Sequence, residues 1–249
     1  MYKGIYIAAS GAVMKQRHME TVSNNLANAT TYGFKGDGVT FRDYMMSEFN
    51  DNGDEEQAKS VGMGARSGDG RIMTYFSDVY TDNSGGAMIN TGNPLDLAID
   101  GQGFFSLEGN KYTRSGNFKL DSQGFLTTSK GVKVLGGGGP IQVQPDGRLE
   151  ISSTGDVTVN GAIIDKIRIV QFSDKAKMQK EGDSNYTSSE TAIDSTSGLK
   201  QGFLEASNVN VVQEMTNMID LYREYESNQK MIQSFDEAAS RVVNDMARV

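Results

Sequence analysis

Residues 208–249 read NVNVVQEMTNMIDLYREYESNQKMIQSFDEAASRVVNDMARV. Apolar side chains recur at Val211, Met215, Met218, Tyr222 and Tyr225, then at Ile232, Phe235, Ala239, Val242 and Met246. Steps of three and four put such residues on one helix face, with a single slip of phase near Asn228. Asn208 is the expected cap. The helix would run ~40 residues, or about 60 Å at ~1.5 Å per residue. A globular helix averages ~11–12 residues, so this length predicts a helical bundle or an assembly rather than a compact monomer.

The opposite end carries a matching stripe: Ile5, Ala8, Ala12, Met19, Val22, Leu26 and Ala29, interrupted by Lys15. The spacing predicts a helix over 4–30, weakened by about 1 kcal/mol at Gly11. Asn28, Thr30, Thr31 and Gly33 should end it, Gly33 in a left-handed conformation. A seam this narrow usually meets another helix. Alone the segment is marginal. Each large apolar side chain gains ~1.5–3 kcal/mol on burial, against ~1–2 kcal/mol per residue to fix the backbone.

Between the ends the pattern changes. Residues 34–71 read as an extended connector, with an acidic, glycine-studded stretch from Asn50 to Gly70. From Ile72 strand and turn signals dominate. Phe104–Leu107 and Lys111–Thr113 flank Glu108-Gly109-Asn110, and Asp121–Gly124 separates Phe118–Leu120 from Phe125-Leu126. Pro145-Asp146-Gly147 is a further turn. Asn160-Gly161 between Val157–Val159 and Ala162–Ile164 suits a two-residue type I′ turn. Ile167–Val170 is one more strand, and the polar stretch 173–200 reads as loop. The expected fold is α+β, with long N- and C-terminal helices paired as a coiled-coil-like bundle around a central all-β domain. Its divisions are a discontinuous helical domain (1–33 with 206–249), the connector (34–71) and a β-rich domain (72–205).

Composition removes several function classes. The 249 residues carry a net charge of −8 and no basic cluster, a poor match to a phosphate backbone. With no cysteine there is no disulfide, thiolate metal site or cysteine nucleophile. No apolar run approaches the ~20 residues of a membrane span, and the N-terminus lacks the continuous apolar core of a cleaved secretory signal. Gly 29 against Pro 3 suits tight turns.

Catalytic chemistry finds no foothold. The one histidine, His18, cannot build a metal constellation and reads as a packing or surface residue. Gly136–Gly139 lacks the Lys-Ser/Thr of a phosphate loop, and Gly101-Gln102-Gly103 lacks the third glycine of a dinucleotide fingerprint. Asp96 and Asp100 could pair as glycosidase carboxylates, but turn and strand-end roles fit them better. The stripe methionines fill helix interfaces rather than bind a cofactor. The expectation is no enzyme, no catalytic residue, no metal and no cofactor.

Four motifs then carry a resemblance. Ser23-Asn24-Asn25-Leu26-Ala27-Asn28-Ala29-Thr30-Thr31-Tyr32-Gly33-Phe34-Lys35, Asn93–Phe105, Tyr112–Phe118 and Leu204–Asn210 stand in the order found in bacterial flagellar rod and hook proteins. The sequence closely resembles that family outside residues 45–70 and 173–198. The resemblance implies a structural subunit exported without a cleaved signal through the flagellar type III apparatus. It would polymerise with copies of itself and other axial proteins into the rod that crosses the periplasm and carries torque to the hook. The proximal-rod type is favoured by Met1–Tyr6 and Gln233–Glu237, with the distal-rod type as alternative. Assembly residues would be Ile5, Ala8, Ala12, Met19, Val22, Leu26, Val211, Met215, Met218, Tyr222, Tyr225, Ile232 and Phe235 of the stripes, together with Asn24, Asn25, Asn28, Gly33, Phe34 and Asn208, and Glu205 would help Asn208 to cap the second helix. A non-flagellar β-domain binding module on a helical stalk is the reading outside the family.

Overall fold

The computed structural model describes residues 2–46, 71–144, 147–173, 178–182 and 184–246. The chain is α+β: a helix first, a β-rich middle and a helix last. Helix α1 spans Tyr2–Ala27 (26 residues) and helix α2 spans Val211–Met246 (36 residues). The acidic stretch from Asn50 to Gly70 and the turn residues Pro145-Asp146 lie outside the described residues. The chain divides into two units, 1–23 with 38–80 and 215–249, and 24–37 with 81–214.

In the first unit the two helices touch at three described points. The Lys15 ammonium lies 2.5 Å from a Glu224 carboxylate oxygen. Gly11 faces the Asn228 amide, where a methyl group would sit 3.4 Å from it, and Gly4 faces the Phe235 ring. As the α1 partner advances from 4 to 11 to 15, the α2 partner retreats from 235 to 228 to 224. Equal steps in opposite directions are antiparallel contact in constant register. Covered positions on α2 include Met218, Leu221, Tyr225, Asn228, Ile232, Phe235 and Ala239, an unbroken alternation of three and four. No slip of phase occurs. Asn228 sits inside the seam because glycine opposite leaves room for its amide, and Leu221 is buried where the sequence reading chose Tyr222. Strands Asp37–Met46 and Arg71–Thr81 pair as a two-stranded ribbon in the same unit.

The second unit is built on strand alternation. Its largest sheet is six-stranded, in the order Met178–Gly182, Asn185–Ser188, Lys111–Thr113, Phe104–Leu107, Ile169–Gln171, Ile193–Asp194. Successive side chains point to opposite faces, so neighbouring residues serve two different cores. Phe105 and Ile169 join the larger cluster with Leu97, Leu107, Val134 and Val157. Phe104 and Val170 join a smaller one with Tyr112, Phe172 and Tyr186. Edge-to-face and tilted ring pairs at 4.9–6.3 Å fill the second cluster.

The turn chemistry expected from sequence is present at the Asn160-Gly161 hairpin. Val159 pairs with Ala162, and the two turn residues have φ of 52° and 83°. The stretch 173–200 corrects the loop reading. It contributes strands Met178–Gly182, Asn185–Ser188, Ile193–Asp194 and Gly198–Gln201. Thr and Ser tolerate a half-exposed sheet surface, and a single inward tyrosine, Tyr186, anchors its strand. Strand Leu149–Ile151 is an edge of a three-stranded sheet with Asp156–Val159 and Ala162–Lys166, and Gln201 covers its open side. The Gln201 amide donates to Leu149 and Pro94 carbonyls (3.2 and 2.8 Å), and its oxygen accepts from the Ile151 amide (3.1 Å).

Backbone approach is closest at Gly116, whose carbonyl accepts from the Leu97 amide at 3.0 Å. A Cβ there would lie 1.6 Å from the Leu97 carbonyl oxygen, whereas Gly85 has open space. Gly116→Ala should therefore destabilise the β-rich unit by about 3 kcal/mol or more, and Gly85→Ala by less than about 0.5 kcal/mol. Urea unfolding followed by tyrosine fluorescence measures both.

Candidate assembly site

The stripe residues divide on the structure. On α1, Ala8, Ala12 and Val22 are buried and Ile5, Met19 and Leu26 half-buried. On α2, Met218, Tyr225, Ile232 and Phe235 are half-buried, as expected of a covered seam. Val211, Met215 and Tyr222 are exposed instead. Met215 and Tyr222 lie on another face, where Val212, Met215, Ile219 and Tyr222 are 74, 51, 54 and 60% accessible. Steps of three, four and three make this a second apolar stripe, which the sequence reading merged with the covered one.

The asparagine motif resolves into separate jobs. Asn24 is exposed. Asn28 ends α1: its amide donates to the Asn24 carbonyl (2.9 Å) and its own carbonyl accepts from the Thr31 amide (3.0 Å). Asn25 is buried and grips the backbone of Asp37 on both sides, donating to its carbonyl at 2.8 Å and accepting from its amide at 2.9 Å. The side chain thus imitates a neighbouring strand. Gly33 turns the chain with φ of 69°, and its amide donates to the Glu205 carbonyl at 2.8 Å. A Cβ at Gly33 would meet the Arg114 backbone at 2.5 Å. Phe34 is buried beneath the Lys180 ammonium, 4.4 Å from its ring centre.

Neither expected cap touches the α2 end. Asn210 caps it, its side-chain oxygen accepting from the Val212 and Gln213 amides at 3.0 and 3.2 Å. Sequence reading placed the helix start two residues early. Asn208 accepts from the Gly36 amide at 2.8 Å and donates to the Asp82 carbonyl at 2.9 Å, joining segments far apart in the chain.

Glu205 is the centre of a buried charge cluster. One carboxylate oxygen accepts from the Lys35 ammonium (2.6 Å) and the Gly86 amide (2.9 Å), the other from the Arg114 guanidinium (2.5 Å). Arg114 also donates to the Gly103, Ile99 and Gly101 carbonyls, and Lys35 to the Ser84 carbonyl. Lys35, Glu205 and Arg114 are 3, 3 and 7% accessible. Burial alone would push the Glu205 carboxyl up. The Arg114 charge and the Lys35 and Gly86 hydrogen bonds outweigh it and hold the group below its ordinary range. Burial pulls Lys35 down despite its bond to Glu205. These three residues stood inside the sequence motifs, but local sequence gives no sign that Lys35 and Glu205, 170 positions apart, meet.

Among the described residues, the candidates named from sequence hold packing, turn and ion-pair contacts. His18 lies edge-on to Phe41 at 5.8 Å, its pKa lowered first by burial and then by Lys15. Asp96 accepts from Thr91 and Asn93 within a turn, and Asp100 pairs with Lys200 at 2.7 Å. The Asp165 carboxylate, not a phosphate, accepts from the Gly137 and Gly138 amides. Among the described residues no group of three His, Cys, Asp or Glu converges on a metal position, and no helix is long and apolar enough to cross a membrane.

Removing Glu205 would leave two buried cations facing each other. Glu205→Gln should cost the β-rich unit about 3–5 kcal/mol, read from its thermal midpoint. A carboxylate held below its ordinary 4.5 stabilises fully above that pH and loses its contribution as pH falls through the depressed value. The wild-type midpoint should therefore drop below pH 4.5 more steeply than that of Glu205→Gln.

Known families match the same segments. Residues 5–35 match the flagella basal body rod protein family, 98–159 the flagellar hook protein FlgE/F/G D1 domain, and 200–246 the flagellar basal body rod FlgEFG protein C-terminal family. The chain is 35% identical to the flagellar basal-body rod protein FlgG of Bacillus subtilis (strain 168), over 98% of this chain and 99% of that one. It is 32% identical to FlgF of Caulobacter vibrioides over 100% of both chains. It is 33% identical to FlgF of Mesorhizobium japonicum over 91% of this chain and 90% of the relative. Matched at both ends and through its strand-rich middle, the chain belongs to the flagellar basal-body rod protein family.

Proposed function

We propose that this chain is a structural subunit of the flagellar rod. In this reading it polymerises with its own copies and other axial proteins into the shaft that carries torque across the periplasm to the hook. The observation that carries the reading is the double use of α2, one apolar stripe turned toward α1 and a second left exposed, in a chain whose full-length relatives are named as rod proteins. Covering each exposed stripe residue on assembly gains about 1.5–3 kcal/mol. A helix ~50 Å long cannot gain that by folding on itself. Its mechanism is rigidity: interlocked helices resist twist, and nothing is turned over.

The coiled-coil-like bundle is part of this proposal, with 1–33 and 206–249 as the helical domain, 34–71 as connector and 72–205 as the β-rich domain. The antiparallel contacts at Gly4, Gly11 and Lys15 support the pairing. The assembly residues are Ile5, Ala8, Ala12, Met19, Val22 and Leu26 on α1, with Met218, Tyr225, Ile232 and Phe235 opposite. Val211, Met215 and Tyr222 face neighbouring subunits, and Asn24, Asn25, Asn28, Gly33, Phe34 and Asn208 fix the helix roots. Export through the flagellar type III apparatus without a cleaved signal belongs to the same reading. Within the family the proximal FlgF type is favoured by the opening Met1–Tyr6 and by Gln233–Glu237. The distal FlgG type is the second reading, supported by the 35% identity to the Bacillus relative.

Deleting residues 1–33 should abolish swimming, and an epitope-tagged chain should appear in isolated basal bodies, at the inner end of the rod for the FlgF type and toward the hook for the FlgG type. Intact swimming would end the proposal. Met215→Asp with Ile219→Asp should likewise abolish swimming in a motility plate, while the thermal midpoint of the purified full-length chain stays within about 1 °C, because both side chains are exposed.

A further inference from the structure

The β-rich unit does not stop where the helices begin. Its boundaries, 24–37 and 81–214, include the last turn of α1 and the first turn of α2. Each of these helix roots is tied into the unit by polar groups from distant parts of the chain. Asn25 grips both backbone groups of Asp37. The Gly36 amide donates to Asn208, and the Gly36 carbonyl accepts from the Asp82 amide at 2.8 Å. The Lys180 ammonium bridges the Lys35 carbonyl (2.5 Å) and the Asp37 carboxylate (2.8 Å). On the C-terminal side, Glu205 carries the charge cluster, and the Ala206 amide donates to the Ala87 carbonyl at 2.8 Å. Every partner lies inside this one unit. No contact of the clamp requires the outer parts of the helices or another subunit.

We infer that residues 25–37 and 205–210 form a preassembled root clamp, which holds both helix roots in place in the free subunit before the outer helical segments are ordered by assembly. The contrast with the outer segments rests on the rod-subunit reading, but the clamp itself does not. Exposing one member of a buried carboxylate with two cationic partners strands the others, so the cluster opens rarely. Residues 33–37 are held by it and by Asn25, whereas exposed helix frays locally. The outer halves of α1 and α2 then close onto neighbours from fixed starting points, which lowers the ordering cost of each addition.

Amide hydrogen exchange on the dilute, full-length monomer, read by mass spectrometry, tests this. Peptides covering Gly33, Gly36 and Asp37 should exchange at least about 100-fold more slowly than peptides within 5–20 and 218–240. Asn25→Asp keeps the acceptor for the Asp37 amide and loses the donor to its carbonyl. It should speed exchange at 36–37 by about tenfold, without changing exchange in the strands Phe104–Leu107 and Ile169–Gln171. Asn25→Leu should speed it further. Fast exchange at 33–37 in the wild-type monomer overturns the clamp. So does an Asn25→Asp variant that exchanges like wild type at 36–37 or loosens the whole unit equally. If the clamp and the outer helices are protected alike in the monomer, the clamp stands and the assembly-ordering reading fails.

Discussion

Glu205 supplies the carboxylate that Lys35 and Arg114 both bond, in a place where these two positive side chains and several backbone carbonyls have given up water. Without it both lose that counter-charge, and each brings a different stretch of chain. Lys35 follows the turn that leaves α1, and Arg114 reaches the carbonyls of the loop 99–103. Glu205 itself ends the strand that leads into α2. A cluster of this kind is weak as a source of net stability, since desolvation cancels most of its Coulomb gain. Its force is geometric: Lys35, Gly86 and Arg114 all converge on the two oxygens of one carboxylate. That arrangement aims the start of one helix and the end of the other from a common point.

Much of the architecture was legible because it obeys periodicity. The stripe Ile5, Ala8, Ala12, Met19, Val22 marks a buried helix face, and the Asn160-Gly161 pair marks a two-residue hairpin whose backbone only such residues adopt readily. What sequence alone could not decide was which of two apolar stripes on α2 faces inward. Met215 and Tyr222 are as apolar as Met218 and Tyr225, and a polar seam residue such as Asn228 looks like an interruption until glycine is found opposite. Strands in 173–200 were hidden for a related reason. Their side chains are mostly polar and half-exposed, so pairing with the Lys111–Thr113, Ile169–Gln171 and Leu97–Asp100 strands holds them, with Tyr186 and Leu199 as the buried anchors.

The junction was legible as a motif but not as a mechanism. Asn208 and Asn210 are the same residue type two positions apart, and either would serve as a cap by local rules. The choice fell to Asn210 because Asn208 is engaged by Gly36 and Asp82. Lys35, Arg114 and Glu205 read as surface charges in any local window, since charged residues are rarely buried without partners. Only the three-dimensional meeting of sites 91 and 170 residues apart supplies those partners.

The contact between the helices is unequal in bulk. Where it is described, α1 offers Gly4, Gly11 and Lys15, and α2 offers Phe235, Asn228 and Glu224. At both glycines the bulk comes from α2, and a Cβ at Gly4 would fall 2.6 Å from the Phe235 ring. In the proposed rod, an interface between subunits that reused this pairing would join unlike helices and so carry a direction.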